Sequence, residues 1–122
     1  MNPSVLICDD SNMARKQVLR SLPEELSLDV TLAKNGLEAL EVLNNQSIDI
    51  MFLDLTMPEL DGVGVLQNLK DNNKHNCAVF VISADVQPEM QNKVLALGAK
   101  AFMRKPVQVD VLINNLKEHG FL

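Results

Sequence analysis

Tryptophan and tyrosine are absent from this chain, phenylalanine occurs four times, and histidine and cysteine occur twice each. Without Trp or Tyr there are few rings on which nucleobases could stack. The formal net charge of −5 also runs against the clustered Lys and Arg that give affinity for phosphate backbones, so no nucleic-acid partner is expected. No apolar stretch approaches the roughly 18–20 residues needed to span a bilayer, and no membrane segment is expected. The opening Met1-Asn2-Pro3-Ser4 lacks the basic region and apolar core of a secretion signal, which points to the cytoplasm. Cys8 and Cys77 lie in separate strand-like runs without CxxC spacing and read as reduced core residues. His75 and His119 lack ligand spacing and read as surface residues.

What is present is an ordinary globular composition. The 122 residues are 47% hydrophobic and 22% charged, which is the size and balance of one folded domain spanning 1–122. There is no linker, repeat or low-complexity segment. Apolar runs at 4–8, 28–33, 48–53, 77–82 and 100–103 are short and rich in Val, Ile, Leu and Phe, the pattern of parallel strands buried on both faces.

Five segments with helical spacing separate and follow these runs. The first begins near Ser11, with Met13, Ala14, Gln17, Val18 and Leu22 along one side and Arg15, Lys16 and Arg20 toward solvent. Asn35 is placed to cap the second, in which Leu37, Leu40 and Leu43 recur. The third follows Asp61-Gly62 and includes Val65, Leu66 and Leu69. The fourth starts around Gln87-Pro88-Glu89 and stops at Gly98. The fifth carries Val109, Leu112, Ile113 and Leu116. Strict β-α alternation with short connections predicts an α/β fold, a parallel sheet with helices on both faces.

Four of these five strand-like runs then end in a chemically useful group. Val5-Leu6-Ile7-Cys8 leads into Asp9-Asp10, Ile50-Met51-Phe52-Leu53 into Asp54, Val79-Phe80-Val81-Ile82 into Ser83-Ala84, and Ala101-Phe102-Met103 into Arg104-Lys105-Pro106. In one parallel sheet these would gather three carboxylates, a hydroxyl and an ammonium at the carboxyl edge, where open α/β sheets bind ligands. Two unit charges ~4 Å apart repel by about 4 kcal/mol at an effective dielectric constant near 20. Three clustered carboxylates therefore call for a cation or a raised pKa. All-oxygen ligation favours Mg2+, with Mn2+ as a substitute. A helix N-cap is the competing role for Asp9 or Asp10.

In their order and spacing, Cys8-Asp9-Asp10-Ser11, Asp54-Leu55-Thr56-Met57-Pro58, Asp61-Gly62, Ser83-Ala84, Gly98-Ala99, Phe102 and Lys105-Pro106 resemble the receiver domain of two-component signalling, specifically a stand-alone response regulator of the chemotaxis type. The resemblance covers nearly the whole chain. It implies a flavodoxin-like, doubly wound five-stranded parallel sheet of order 2-1-3-4-5 with five helices. In that order Cys8 and Cys77 belong to strands separated by a third, about 10 Å apart at ~4.8 Å per strand, too far for a disulfide.

The resemblance implies site roles as well. Asp54 is the phosphoacceptor, assisted by Lys105, the Ser83 hydroxyl and the Ala84 backbone N–H. Asp10, Asp54 and the Thr56 backbone carbonyl are direct metal ligands, with Asp9 acting mainly through water. Ser83 and Phe102 form a switch, Phe102 standing where many relatives carry Tyr; plain core packing is the alternative for Phe102. A cis peptide precedes Pro106, and Thr56 and Asp85 tune the lifetime of the phosphoryl group. Arg15, Lys16 and Arg20 are either a partner-binding patch or a solvated helix face.

The function implied is a phosphorylation-activated switch. A histidine kinase supplies the phosphoryl group, and the face formed by helix 4, strand 5 and helix 5 changes its binding to an unidentified protein partner. A phosphatase is a further partner, and the chain is expected as a monomer or a weak phosphorylation-dependent dimer. Residues 107–122 leave room for one helix and no output domain, so the effect is expected in trans. A relay intermediate or phosphate sink is the alternative. The chain is not expected to be an enzyme beyond its own phosphorylation and dephosphorylation. A small Mg-dependent phosphatase would need a second Asp where Thr56 stands. A flavodoxin-like electron carrier would need a Ser/Thr-rich loop and flavin-stacking rings.

Overall fold

Cys8 is hydrogen-bond ladder partner to both Ala33 and Leu53, which makes the first strand an interior member of its sheet. The structure, a computed structural model, describes residues 2–72 and 76–122; His75 lies outside the described residues. Strands β1 (Val5–Cys8), β2 (Val30–Ala33), β3 (Ile50–Leu53), β4 (Ala78–Ser83) and β5 (Ala101–Arg104) alternate with helices α1 (Asn12–Ser21), α2 (Gly36–Asn45), α3 (Gly62–Asn72), α4 (Pro88–Ala96) and α5 (Val109–Glu118). All strand pairs are parallel, in the order β2-β1-β3-β4-β5. Among the described residues no helix is long and apolar enough to cross a membrane.

Alternation along the strands divides the interior in two, because successive side chains point to opposite faces. Leu6, Cys8, Met51, Leu53, Val79 and Val81 pack with Ala39 and Leu43 of α2, Val65 and Leu66 of α3, and Val94 of α4. Val5, Ile7, Ile50, Phe52, Phe80, Ile82 and Met103 pack with Val18 of α1 and Leu112 and Leu116 of α5. On the second side Phe52 and Phe80 stack at 5.8 Å between ring centroids. The exposed His119 packs edge-on against Phe80 at 5.3 Å.

Several helices bury a narrower face than expected. Met13 is 72% exposed and Gln17 is exposed, while Val18 and Leu22 are buried; α1 thus meets the sheet along a narrower stripe than its apolar spacing predicts. In α2 the buried positions are Gly36, Ala39 and Leu43, with Leu37 exposed. Val109, expected on the apolar side of α5, is also exposed. The strands begin later than the apolar runs. Asp29 and Asp49 stand just ahead of β2 and β3; their carbonyls accept from the Val5 and Ala78 N–H groups, each 2.9 Å, and their carboxylates accept from the Ser4 hydroxyl and the Ser4 N–H, each 2.8 Å.

Helix boundaries follow local chemistry. Ser11 Oγ accepts from the Ala14 N–H at 3.2 Å and Asn35 Oδ1 from the Glu38 N–H at 2.8 Å, satisfying amides that the first helical turn leaves free. Pro88 occupies the first turn of α4, and Gly98 follows its end at φ +107°, a left-handed conformation that glycine adopts at little cost.

Candidate functional site

The sheet ladder continues one rung past the strands and sets the site. The Asp9 N–H donates to the Ala33 carbonyl at 3.0 Å and the Asp54 N–H to the Cys8 carbonyl at 2.9 Å. Because Cys8 pairs with Leu53, Asp9 and Asp54 fall side by side at the carboxyl ends of β1 and β3. The Lys105 N–H likewise donates to the Ser83 carbonyl at 2.9 Å, carrying the β4–β5 edge into the same region. Asp9, Asp54 and Lys105 continue the alternation of Ile7, Phe52 and Met103, all packed on the α1 and α5 side.

The result is a compact charged cluster. Lys105 Nζ lies 2.8 Å from Asp9 Oδ2 and 3.3 Å from Asp54 Oδ1. Asp9 and Asp54 are each only 4% exposed, whereas Asp10 is exposed. One carboxylate oxygen from each of Asp9, Asp10 and Asp54 lies within 4.8 Å of the others. The Ser11 N–H donates to Asp9 Oδ1 at 2.9 Å.

Electrostatics at Asp54 reflect an excess of negative charge. Burial and then the neighbouring Asp9 charge push its carboxyl pKa up, and Lys105 and the Thr56 backbone N–H offset only part of this. Lys105 shows the complement: burial pulls its ammonium pKa down, but the Asp9 hydrogen bond and the charges of Asp54 and Asp9 outweigh burial and raise it overall. Among the described residues the Lys105 ammonium pairs with Asp9 and Asp54, while Asp10 adds a third carboxylate beside them. An all-oxygen donor set with uncompensated charge fits a hard divalent cation, and Asp9, Asp10 and Asp54 present such a set.

The remaining residues of interest lie on or beside β3, β4 and β5. Ser83 is 1% exposed, and its Oγ accepts from the Asp85 N–H at 3.0 Å, so its hydrogen bond lies within its own loop and not with the carboxylates. Asp85 Oδ1 accepts from the Gln87 N–H at 3.2 Å. Ala84 and Thr56 are exposed. Phe102 is half-buried against the core on the α2–α4 side. The Lys105–Pro106 peptide is cis.

Close backbone approach shapes the loop after Asp54. A Cβ on Gly62 would collide with the Asp54 carbonyl oxygen, and one on Gly36 with the Leu60 carbonyl oxygen. Gly36 donates its N–H to that same Leu60 carbonyl at 3.0 Å. Glu59 adopts φ +68°, which is uncommon for a residue with a side chain. Cys8 and Cys77 are both free thiols, and burial, foremost, raises each to about 12.

Two features escaped the residue patterns. Arg15, assigned to the solvated side of α1, turns back so that Nη1 donates to the Asp9 carbonyl at 2.6 Å. Cys8 Sγ also contacts Met57 Sδ at 3.4 Å, tying β1 to the loop after Asp54. A cation one turn into a helix that directly follows an acidic pair was the available signal for the first; nothing local marked the second.

Residues 5–117 match the model of the response regulator receiver domain. Chemotaxis protein CheY of Treponema pallidum is 34% identical over 105 residues, which is 84% of this chain and 72% of that protein. Response regulator RR06 of Streptococcus pneumoniae is 35% identical over 93% of this chain and 51% of its own length. The chain spans less than two thirds of several curated relatives it matches, and as little as 5% of one. The solved Francisella response regulator 1452 receiver domain superposes with a TM-score of 0.81 at 32% identity, covering 96% of this chain and 95% of that one. With its ladder order, its acidic strand ends and these likenesses in agreement, the chain belongs to the response regulator receiver domain family of two-component signalling.

Proposed function

We propose that the chain is a phosphorylation-controlled switch in which Asp54 accepts a phosphoryl group from a histidine kinase. The observation that carries this reading is the Lys105 ammonium set between Asp9 and Asp54 at the rim of β1 and β3, with Asp10 alongside. An Asp54 carboxylate oxygen attacks phosphorus, the phosphorus–nitrogen bond of the donor phosphohistidine breaks, and the electron pair leaves on the imidazole nitrogen. The acyl phosphate so formed is reactive enough to be hydrolysed later.

Catalysis in such a transfer is mainly positioning and charge stabilisation. Lys105 is placed to follow charge from the Asp54 carboxylate onto a phosphoryl oxygen. The Ser83 hydroxyl and the Ala84 N–H are proposed donors to another oxygen, which requires Ser83 to exchange its Asp85 contact for the phosphoryl group. A divalent cation, Mg2+ by the oxygen donor set with Mn2+ as a substitute, supplies charge neutralisation when bound, and Asp9, Asp10, Asp54 and the Thr56 carbonyl are the groups to hold it.

Movement of Ser83 would open space that the half-buried Phe102 fills, shifting a pre-existing equilibrium at the face of α4, β5 and α5 toward a partner-binding form. Thr56, two positions after the proposed acceptor, and Asp85, two positions after Ser83, are assigned to the lifetime of the phosphoryl group. The free cysteines fit a reducing compartment, and the proposed setting is the cytoplasm.

Intact-mass measurement with acetyl phosphate and Mg2+ tests the assignment. The wild-type chain should gain one phosphoryl group, about 80 Da, and Asp54→Asn should not. An equal gain in the variant would reject Asp54 as the acceptor.

A further inference from the structure

Arg15 stands where helix electrostatics disfavour a cation. It is one turn in from the N-cap Ser11 of α1, a helix with no acidic residue in its first turn, at the end where the helix dipole favours negative charge. Its neighbour Lys16 leaves its charge in solvent, but Arg15 is half-buried. The guanidinium reaches back to the acidic loop, with Nη1 2.6 Å from the Asp9 carbonyl oxygen and Nη2 3.3 Å from Asn12 Oδ1. Among the described residues the ion pairs are those of Lys105 with Asp9 and Asp54. Arg15 therefore adds positive charge beside the cluster without occupying a carboxylate oxygen.

We propose that Arg15 is a positioning residue that holds the peptide between Asp9 and Asp10 so that the Asp10 carboxylate stays aligned with Asp9 and Asp54 for a divalent cation. The inference rests on reading that cluster as a metal site. A peptide unit is planar, so fixing the Asp9 carbonyl fixes the Asp10 amide and the direction in which the chain leaves it. The Ser11 N–H bonded to Asp9 Oδ1 at 2.9 Å closes the turn from the other side. Among the described residues these contacts secure Asp9, while Asp10 is exposed and depends on the backbone for its placement.

Charge and positioning predict opposite results, which makes the test decisive. Removing a nearby cation strengthens the electrostatic attraction of the cluster for Mg2+, so charge alone makes Arg15→Met bind Mg2+ more tightly. Positioning makes it bind more weakly, by about tenfold, the low end for groups that orient metal ligands. Calorimetric Mg2+ titration of wild type, Arg15→Met, Arg15→Lys and Lys16→Met separates the two. The expected result is weaker binding in Arg15→Met, partial recovery in Arg15→Lys, and equal or tighter binding in Lys16→Met. Unchanged or tighter binding in Arg15→Met overturns the proposal; if that variant does not fold, unchanged or tighter binding in Arg15→Lys does so.

Hydrogen exchange of the Ser11 amide in metal-free protein gives a second readout. It should quicken in Arg15→Met, or in Arg15→Lys if only that variant folds, and an unchanged rate overturns the proposal. A wild-type chain that fails to bind Mg2+ would reject the metal reading, while the exchange comparison would still decide whether Arg15 holds the turn.

Discussion

Lys105 pairs with Asp9 at 2.8 Å, closer than the 3.3 Å that separates it from Asp54. The ammonium is thus moored to a carboxylate other than the proposed acceptor, and it keeps a partner when Asp54 changes its charge.

Lys105→Met should leave two buried carboxylates without their counter-charge. The Asp54 carboxyl, already raised by burial and Asp9, loses the Lys105 influences that lower it, so its pKa rises further. A loss of about 1–3 kcal/mol at neutral pH is expected, the cost of orphaning buried polar groups. Because the folded Lys105 pKa lies above its ordinary 10.5, its contribution is fully present below that value and fades as pH rises through the folded one. Urea unfolding at neutral and strongly alkaline pH should therefore show the gap between wild type and variant closing on the alkaline side.

Asp54→Asn should stabilise the metal-free chain at pH 7. A carboxyl whose folded pKa is raised binds its proton more tightly when folded; its stabilising contribution is present below the ordinary value of 3.8 and is lost as pH rises through the folded value. Neutralising the side chain removes that loss, by about 0.5–2 kcal/mol, the usual scale for relieving a strained functional position. Melting curves from pH 3 to 8 should show the variant's advantage growing with pH, and no advantage at pH 7 would contradict the raised carboxyl.

Asp10→Asn should separate metal binding from folding. Asp10 is exposed, so the metal-free melting temperature should move little. Saturating Mg2+ should then raise the wild-type melting temperature, by about 2.7 kcal/mol of stability at a hundredfold excess over Kd, and raise that of the variant much less. Equal increments in both would exclude Asp10 as a ligand.

Glu59→Asn tests the loop behind the proposed acceptor. Glu59 holds φ +68°, where most side chains incur roughly 1–2 kcal/mol and Asn much less. Chemical denaturation should give a midpoint shifted upward by about 0.5–1 kcal/mol of stability, with the slope unchanged.

The parts of this structure legible in the sequence were those written in local chemistry. Asn35, Pro88 and Gly98 act through backbone within a few residues, and each marks a helix end. The apolar runs at β1, β3 and β4 are buried on both sides, so their continuous hydrophobicity identifies them without knowledge of neighbours. The acidic and basic strand ends could be brought together in advance because parallel pairing leaves few arrangements for their carboxyl edge. Helix faces were less legible. Met13, Leu37 and Val109 are apolar yet exposed, since the burial of a helix residue depends on the angle at which the helix crosses the sheet. Asp29 and Asp49, just ahead of β2 and β3, hold Ser4 with their carboxylates, a contact made only in three dimensions. Arg15 meets the Asp9 carbonyl instead of solvent, and its place one turn after an acidic pair is the one trace of that contact in the sequence.

The hydrogen bond from Gly36 to the Leu60 carbonyl has a mechanical implication. The start of α2 and the stretch leading out of β3 are stitched together at a point where no side chain fits between them. Any reshaping of residues 55–61 must therefore drag the near end of α2 with it or first undo that stitch, which couples the loop after β3 to the flank beside β2.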